Sequence, residues 1–431
     1  MSGNFDQKIR QARIRLNQAR KKAGECDWPD MDFPRAARPN VPSRKALERG
    51  ERNAIADIVF GKGESPHDRL EQLLGYFESE RKHLPPARVV DIYGKVIDLF
   101  LIQGVCRTSQ KVTEQKNRLR KHMLECFDGN LSDLASPLQG AKYLIALRKD
   151  YYLTEAILDK SLPWINANLV GMCPRSKQLL LDCFSALVAR SSSAREAVYQ
   201  KLKQSFLHDL RTSPLAHTAR LATAIESFCV LEPEVAEALW QDPDIRTRTL
   251  EECTRESDRL RISRICTALH ENRPNEMLPA IREVLKSQLQ EKAIGSTLSA
   301  SVLHYLRSME RPASPPRAIA GYAVEAVVGT PGYQVVVETC RDRSRFINST
   351  PESGFLGYHL LRNRALNHAG FSVLHVPASF WFKPGTSQTA RESALAEAIS
   401  RLEDAKTHRT SVLGLNDYEL PSQTGTGYLQ K

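Results

Sequence analysis

The chain has 431 residues, 41% apolar and 26% charged, and its 61 Lys and Arg against 50 Asp and Glu give a formal net charge of +11. That composition belongs to soluble globular proteins and excludes a collagen-like, disulfide-scaffold or wholly disordered chain. No apolar run approaches the ~20 residues needed to cross a bilayer; the longest, Val96 to Val105, already holds Asp98 and Gln103. The basic excess favours polyanionic partners, because each phosphate neutralised releases condensed counterions.

Residues 1–43 read as a basic segment followed by a proline-rich linker. Lys8, Arg10, Arg13, Arg15, Arg20, Lys21 and Lys22 face Asp6 alone, and Phe5, Ile9, Ala12, Leu16 and Ala19 fall near helical spacing. This pattern resembles an organellar transit peptide; a solvated basic helix or an arm touching a polyanion has the same pattern. Pro29, Pro34, Pro39 and Pro42 then extend neither helix nor central strand.

From residue 44 to 309 apolar residues recur at three and four, which predicts an α-helical repeat array. Five helix starts look equivalent, at Pro137, Pro174, Pro214, Ser257 and Ser296, spaced by roughly forty residues as in two-helix repeats. Pro and Ser suit such starts, because the first turn has N–H groups to lose or to cap. Second helices follow over Glu155 to Ile165, Ala194 to Leu207, Pro233 to Trp240 and Asn275 to Leu285. Stacked pairs of this kind build an α-solenoid whose inner face runs along an extended partner, a peptide or a single nucleic acid strand. Nine scattered cysteines without a CxxC, several in these apolar runs, indicate reduced and mostly buried thiols. Cys266 and His270, four apart, lack a second pair and read as packing rather than metal ligands.

Three prolines in residues 310–320 mark a linker, after which the period becomes two. Tyr322 to Val328 and Tyr333 to Thr339 read as strands around the turn Gly329 to Gly332, and Phe371 to Val376 as a third. Leu356 to Ala369 is an amphipathic helix stopped by Gly370, and a last helix runs near Gln388 to Ala405. A small α/β domain over 321–408 and a disordered tail over 409–431 complete the expected plan.

The motifs of this module follow one order: Glu325, Val335-Val-Val-Glu338, Arg345-Phe346, Leu360-Leu-Arg-Asn-Arg-Ala-Leu366, Gly370, Phe371 to Pro377, and Phe380-Trp381. In that order and spacing they resemble the RAP domain, named for RNA-binding proteins abundant in apicomplexans, over about a fifth of the chain. Helical repeats commonly precede RAP domains, and the array here looks similar. The resemblance implies a restriction-endonuclease-like fold and a role in organellar RNA processing, stability or translation, with a mitochondrial or plastid address.

That fold raises a nuclease alternative, an Mg-dependent endoribonuclease using Glu325 and Glu338 with Asp342 in support. Such chemistry needs adjacent carboxylates on a divalent cation and usually a lysine beside the attacking water. Cys340 stands where a ligand or lysine belongs, and Arg341 hardly ever deprotonates. The reading favoured is therefore a non-catalytic RNA-binding protein without a cofactor. Arg341, Arg343, Arg345, Arg362 and Arg364 are the candidate phosphate ligands, and Phe346, Tyr358 and Trp381 the candidate stacking platforms. A third reading is a protein-binding helical scaffold, including one delivered by a bacterium into a host.

Overall fold

The computed structural model describes residues 65–415 except 104–108, 128–130, 132, 133, 135, 189–191, 214, 215, 253–255, 271–280, 284, 287, 291–295, 310–312, 331, 350–354, 406 and 407. The basic segment and linker expected over 1–43, and the tail beyond 415, lie outside the described residues, so neither expectation meets a structure.

Many of the helices begin where the sequence supplies a cap or a proline. Pro66–Glu80 (α1) opens on a capping box: Ser65 Oγ accepts the Asp68 N–H at 3.2 Å and the Asp68 carboxylate accepts the Ser65 N–H at 3.2 Å. Pro86–Gln103 (α2) and Gln110–Phe127 (α3) follow. Pro137–Lys149 (α4) and Pro174–Ala186 (α6) start on proline. Glu155–Asn168 (α5) and Ser193–Thr212 (α7) start on Thr154 and Ser192, whose hydroxyls accept backbone N–H groups. Leu221–Leu231 (α8), Pro233–Gln241 (α9), Pro243–Glu251 (α10) and Glu256–Ala268 (α11) complete this helical region.

Successive first helices α2, α4, α6, α8 and α11 pack side by side, with α5, α7 and α9 behind them. Leu144, Leu147, Leu180, Leu187, Leu221, Ile225 and Ile265 are buried between these helices, while Leu269 is half-buried. Two starts differ from the expectation. Pro214 lies outside the described residues and α8 begins only at Leu221, after a short 3-10 turn over Ala216–Thr218. The helix capped by Ser296, Thr297–Ser308 (α12), is not a fifth repeat, because its Leu298, Val302 and Leu306 pack into the core of the C-terminal module.

That module holds a small mixed sheet. Arg317–Ile319 (β1) and Tyr322–Val324 (β2) form an antiparallel hairpin turning on Ala320 and Gly321, both at positive φ. Ala326–Val328 (β3) turns at Gly329 (φ +99°), where an added Cβ would stand 2.3 Å from the Tyr333 carbonyl oxygen. The chain returns antiparallel as Gln334–Cys340 (β4). Gly357–His368 (α13), stopped by Gly370 at φ +87°, leads to Phe371–Pro377 (β5), parallel to β4. Gln388–Glu403 (α14) leads to Thr410–Val412 (β6), parallel to β5. The order β3-β4-β5-β6 puts α12 and α14 on one face, over Val335, Val337, Leu374 and Val376. Leu366 and Leu360 of α13 cover the other face, over Val336, Val373 and Cys340.

Two boundaries move accordingly. The described part of the expected linker, residues 313–320, belongs to the module, since Ser314 bridges to Val327 and β1 lies within it. The chain beyond 408 is not all tail, since β6 closes the sheet. The described chain is thus mostly helical, with a small α/β module at its C-terminal end, and all described residues belong to one compact unit, Asp57–Lys431. Among them no helix is long and apolar enough to cross a membrane.

Candidate nucleic-acid interface

Glu338 stands in the middle of the module, fully buried on β4. Its Oε1 accepts Arg362 Nη2 at 2.6 Å and the Glu325 backbone N–H at 2.9 Å, while Arg345 Nη2 stands 3.8 Å from Oε2. Burial opposes the Arg362 charge, but the adjacent Glu338 carboxylate outweighs it and holds the guanidinium protonated. Arg345 also donates to His359 Nδ1 at 2.8 Å, and His359 Nε2 lies 2.9 Å from the Ser344 carbonyl oxygen. A guanidinium only donates, so Nδ1 accepts and the proton sits on Nε2. Burial, and then Arg345 and Arg362, push the His359 pKa well below the ordinary imidazole value. Arg345 and Arg362 therefore act inside the fold: they neutralise a buried carboxylate instead of presenting their forks to phosphate.

Glu325 turns the other way. It accepts from Ser299 Oγ on α12 and from Thr339, whose N–H stands 2.6 Å and whose Oγ1 stands 2.9 Å from its carboxylate. The donors to Glu325 come from the α12 side of the sheet and the guanidinium on Glu338 from the α13 side. Each carboxylate is thus occupied by its own protein donors, and a metal at Glu338 would have to displace a buried guanidinium. Among the described residues no group of three His, Cys, Asp or Glu side chains is placed to hold a metal. Asp342, half-buried, opens the single turn Asp342–Arg345, and Cys340 is buried, its thiol pushed up to about 12 by burial.

The chosen aromatics separate in the same way. Phe346 is buried against Phe355, with ring centroids 5.1 Å apart. Trp381 is buried in the sheet core, its Nε1 donating to Ser301 Oγ at 3.1 Å. Neither leaves a face open to a base. Tyr358 is different, at 39% exposed. Arg341 is exposed, Arg364 is half-buried on α13, and the Arg343 side chain lies outside the described residues.

Exposed Tyr358 lies where α13 packs on α6, α8 and α11. Gly357 makes that seam close, since a Cβ there would stand 1.9 Å from the Ser185 carbonyl oxygen. The Arg264 guanidinium from α11 lies 4.8 Å from the Tyr358 ring centre. Arg264 shares Glu226 with Arg261, at 2.8 and 3.0 Å. Arg261 also meets Asp258 at 3.4 Å, and Arg148 pairs with Asp182 at 2.7 Å. Arg175, second residue of α6, donates to Gln178. Burial, and then the charges of Arg220 and Arg261, hold its pKa down at about 10, with Asp182 pulling the other way. Tyr151, 45% exposed just beyond α4, has its hydroxyl end desolvated and close enough to Arg148, Arg345 and Tyr358 to feel them.

Five guanidiniums from four repeats thus gather around Asp182, Glu226 and Asp258, flanked by two exposed tyrosines. A fourth acid, Glu252, is pushed up to about 7 by burial, which blunts its charge. Sequence reasoning did not find this group. Its members come from first helices tens of residues apart, and only the stacking of those helices brings them together. The legible trace was an arginine at the opening of consecutive first helices, Arg175 and Arg220.

Compared with known protein families and with curated proteins, the chain finds no match to either.

Proposed function

We propose that this chain is an RNA-binding protein of the RAP type, whose stacked helical pairs form a solenoid and hold a single strand against the α/β module. The observation that carries this reading is the convergence of Arg148, Arg175, Arg220, Arg261 and Arg264 beside Tyr151 and Tyr358. Arg220 and Arg261 press on the charge of Arg175, whereas Asp182 and Glu226 hold Arg148 and Arg264 charged. A polyanion relieves the repulsion on Arg175 while its unstacked bases find tyrosine faces. The interface sits on the helical array and its seam with the module, and moves away from the loop over 341–346. Glu325 and Glu338 serve as internal acceptors, which favours binding without hydrolysis. The proposed setting is organellar RNA processing, stability or translation, and a fluorescent fusion of residues 1–40 that enters mitochondria or plastids supports that address, whereas a cytosolic one removes it.

Filter binding of single-stranded RNA tests the reading directly. Affinity falls steeply as salt rises, with a slope of about −0.7 per phosphate contacted. The double variant Arg175→Ala, Arg220→Ala flattens that slope by about 1.4 and weakens binding. A chain that retains no RNA at low salt removes the proposal, and an affinity indifferent to salt assigns the helical array to protein partners.

A further inference from the structure

Along the seam that Tyr358 and Arg264 begin, the far half of α13 and the ends of α8 and α11 enclose a cleft of about 300 Å³. Arg364, Asn367 and His368 line it from α13, and Thr267 and His270 from the end of α11, over an apolar floor that includes Leu361. Among the described residues of this lining none carries a carboxylate. His270 and His368 are both exposed and stack with ring centres 4.1 Å apart at 33°. His270 reaches that position from a left-handed backbone (φ 57°), a conformation costly for a residue with a Cβ. The Asn367 Nδ2 donates to Thr410 Oγ1 at 3.3 Å, and its buried Oδ1 accepts from no group among the described residues.

These groups divide the tasks of holding one nucleotide. A guanidinium fork suits a phosphate, a planar pair of imidazoles suits the face of a base, and an unused amide oxygen suits an N–H on the base edge. The volume stands at the small end of ligand sites, about 300–1,000 Å³, which fits a single nucleotide and not a helix or an extended peptide. We propose that the cleft takes one nucleoside monophosphate unit, with its phosphate on Arg364 and its base flat on the outer face of the His270–His368 pair. The source of that unit as part of a bound strand rests on the RNA reading above; a free mononucleotide presents the same chemistry.

The test uses the full chain, with AMP, inorganic phosphate and an oligoribonucleotide of about ten residues as separate probes. AMP binds by calorimetry, phosphate alone binds more weakly, and Arg364→Ala weakens AMP by about tenfold or more. The same variant lowers the salt slope for the oligonucleotide by about 0.7, the loss of one phosphate contact. His368→Ala, at an exposed position, weakens AMP while leaving the salt slope unchanged and guards against a folding artefact. AMP bound and lost in Arg364→Ala, with no RNA retained, keeps the cleft as a mononucleotide site and removes the RNA reading. RNA bound equally by wild type and both variants, with no heat from AMP, removes the cleft and leaves the RNA reading standing. Phosphate binding as tightly as AMP removes the base contact and overturns the proposal.

Discussion

Glu252 precedes the Arg261 cluster in sequence and shares its surroundings, and its burial has a measurable consequence. Its carboxylate accepts the Leu221 backbone N–H at 3.2 Å and lies 3.9 Å from Arg248. Burial wins over the Leu221 N–H, Arg248 and Arg220, and lifts its pKa from 4.5 to about 7. With the folded value raised, the stability that Glu252 contributes is fully present below about 4.5 and lost as pH rises through about 7. Glu252→Gln keeps an acceptor for Leu221 and removes the proton that titrates. Urea unfolding then shows the variant level with wild type near pH 4.5 and about 1–3 kcal/mol more stable at pH 8. A variant less stable at pH 8 means that the carboxylate is ionised and paired with the arginines. At the same scale, sequence density misled the choice of ligands. Arg345 and Arg362 look free in a run of arginines, but Glu338, distant in sequence from Arg362, consumes both. Arg175 looked unremarkable because its neighbours Arg220 and Arg261 belong to other repeats.

Among elements, α13 decides how the molecule is joined, because it covers one face of the sheet and also packs on α6, α8 and α11. Its two buried sides are not all apolar: Arg362 and Asn363 are buried beside Leu360, Leu361, Ala365 and Leu366. The sequence announced that helix and its glycine stop, since both are local signals. It gave no sign of the second packing side, which depends on how closely two backbones approach. Gly357 sets that distance, with the Ser185 carbonyl oxygen 1.9 Å and Val230 Cγ1 2.9 Å from the place of a Cβ. Gly357→Ala therefore forces α13 away from α6 and costs about 1–3 kcal/mol, as overpacking of a tight contact does. Thermal unfolding measures that loss. RNA affinity falls with it if the seam forms the interface, and stays unchanged if the strand runs elsewhere.

At the scale of the whole molecule, the question is where one folding unit ends and the next begins. The proline cluster at 310–320 looked like a hinge because proline interrupts both helix and strand periods. Proline also suits sheet edges and strand starts, and here the segment reaches the sheet through the Ser314 bridge to Val327 and pairs β1 with β2 in a hairpin of its own. The hairpin turn Ala320-Gly321 lacks the Asn-Gly signature, so β1 was not legible. Likewise β6 is three residues long and gains its place only by pairing with β5. Cutting the chain at the sequence-based boundaries, 321–408, removes α12, β1 and β6 together. Val328, Val335 and Val337 lose the cover of Leu298, Val302 and Leu306, and β5 loses its outer partner. Large apolar surface and an open strand edge then face water, a state that favours aggregation over folding. The fragment 321–408 consequently gives no cooperative thermal transition by circular dichroism, whereas 296–415, which restores both faces of the sheet core, does. If 321–408 melts cooperatively on its own, α12 is an accessory to the module and belongs with the helical array after all.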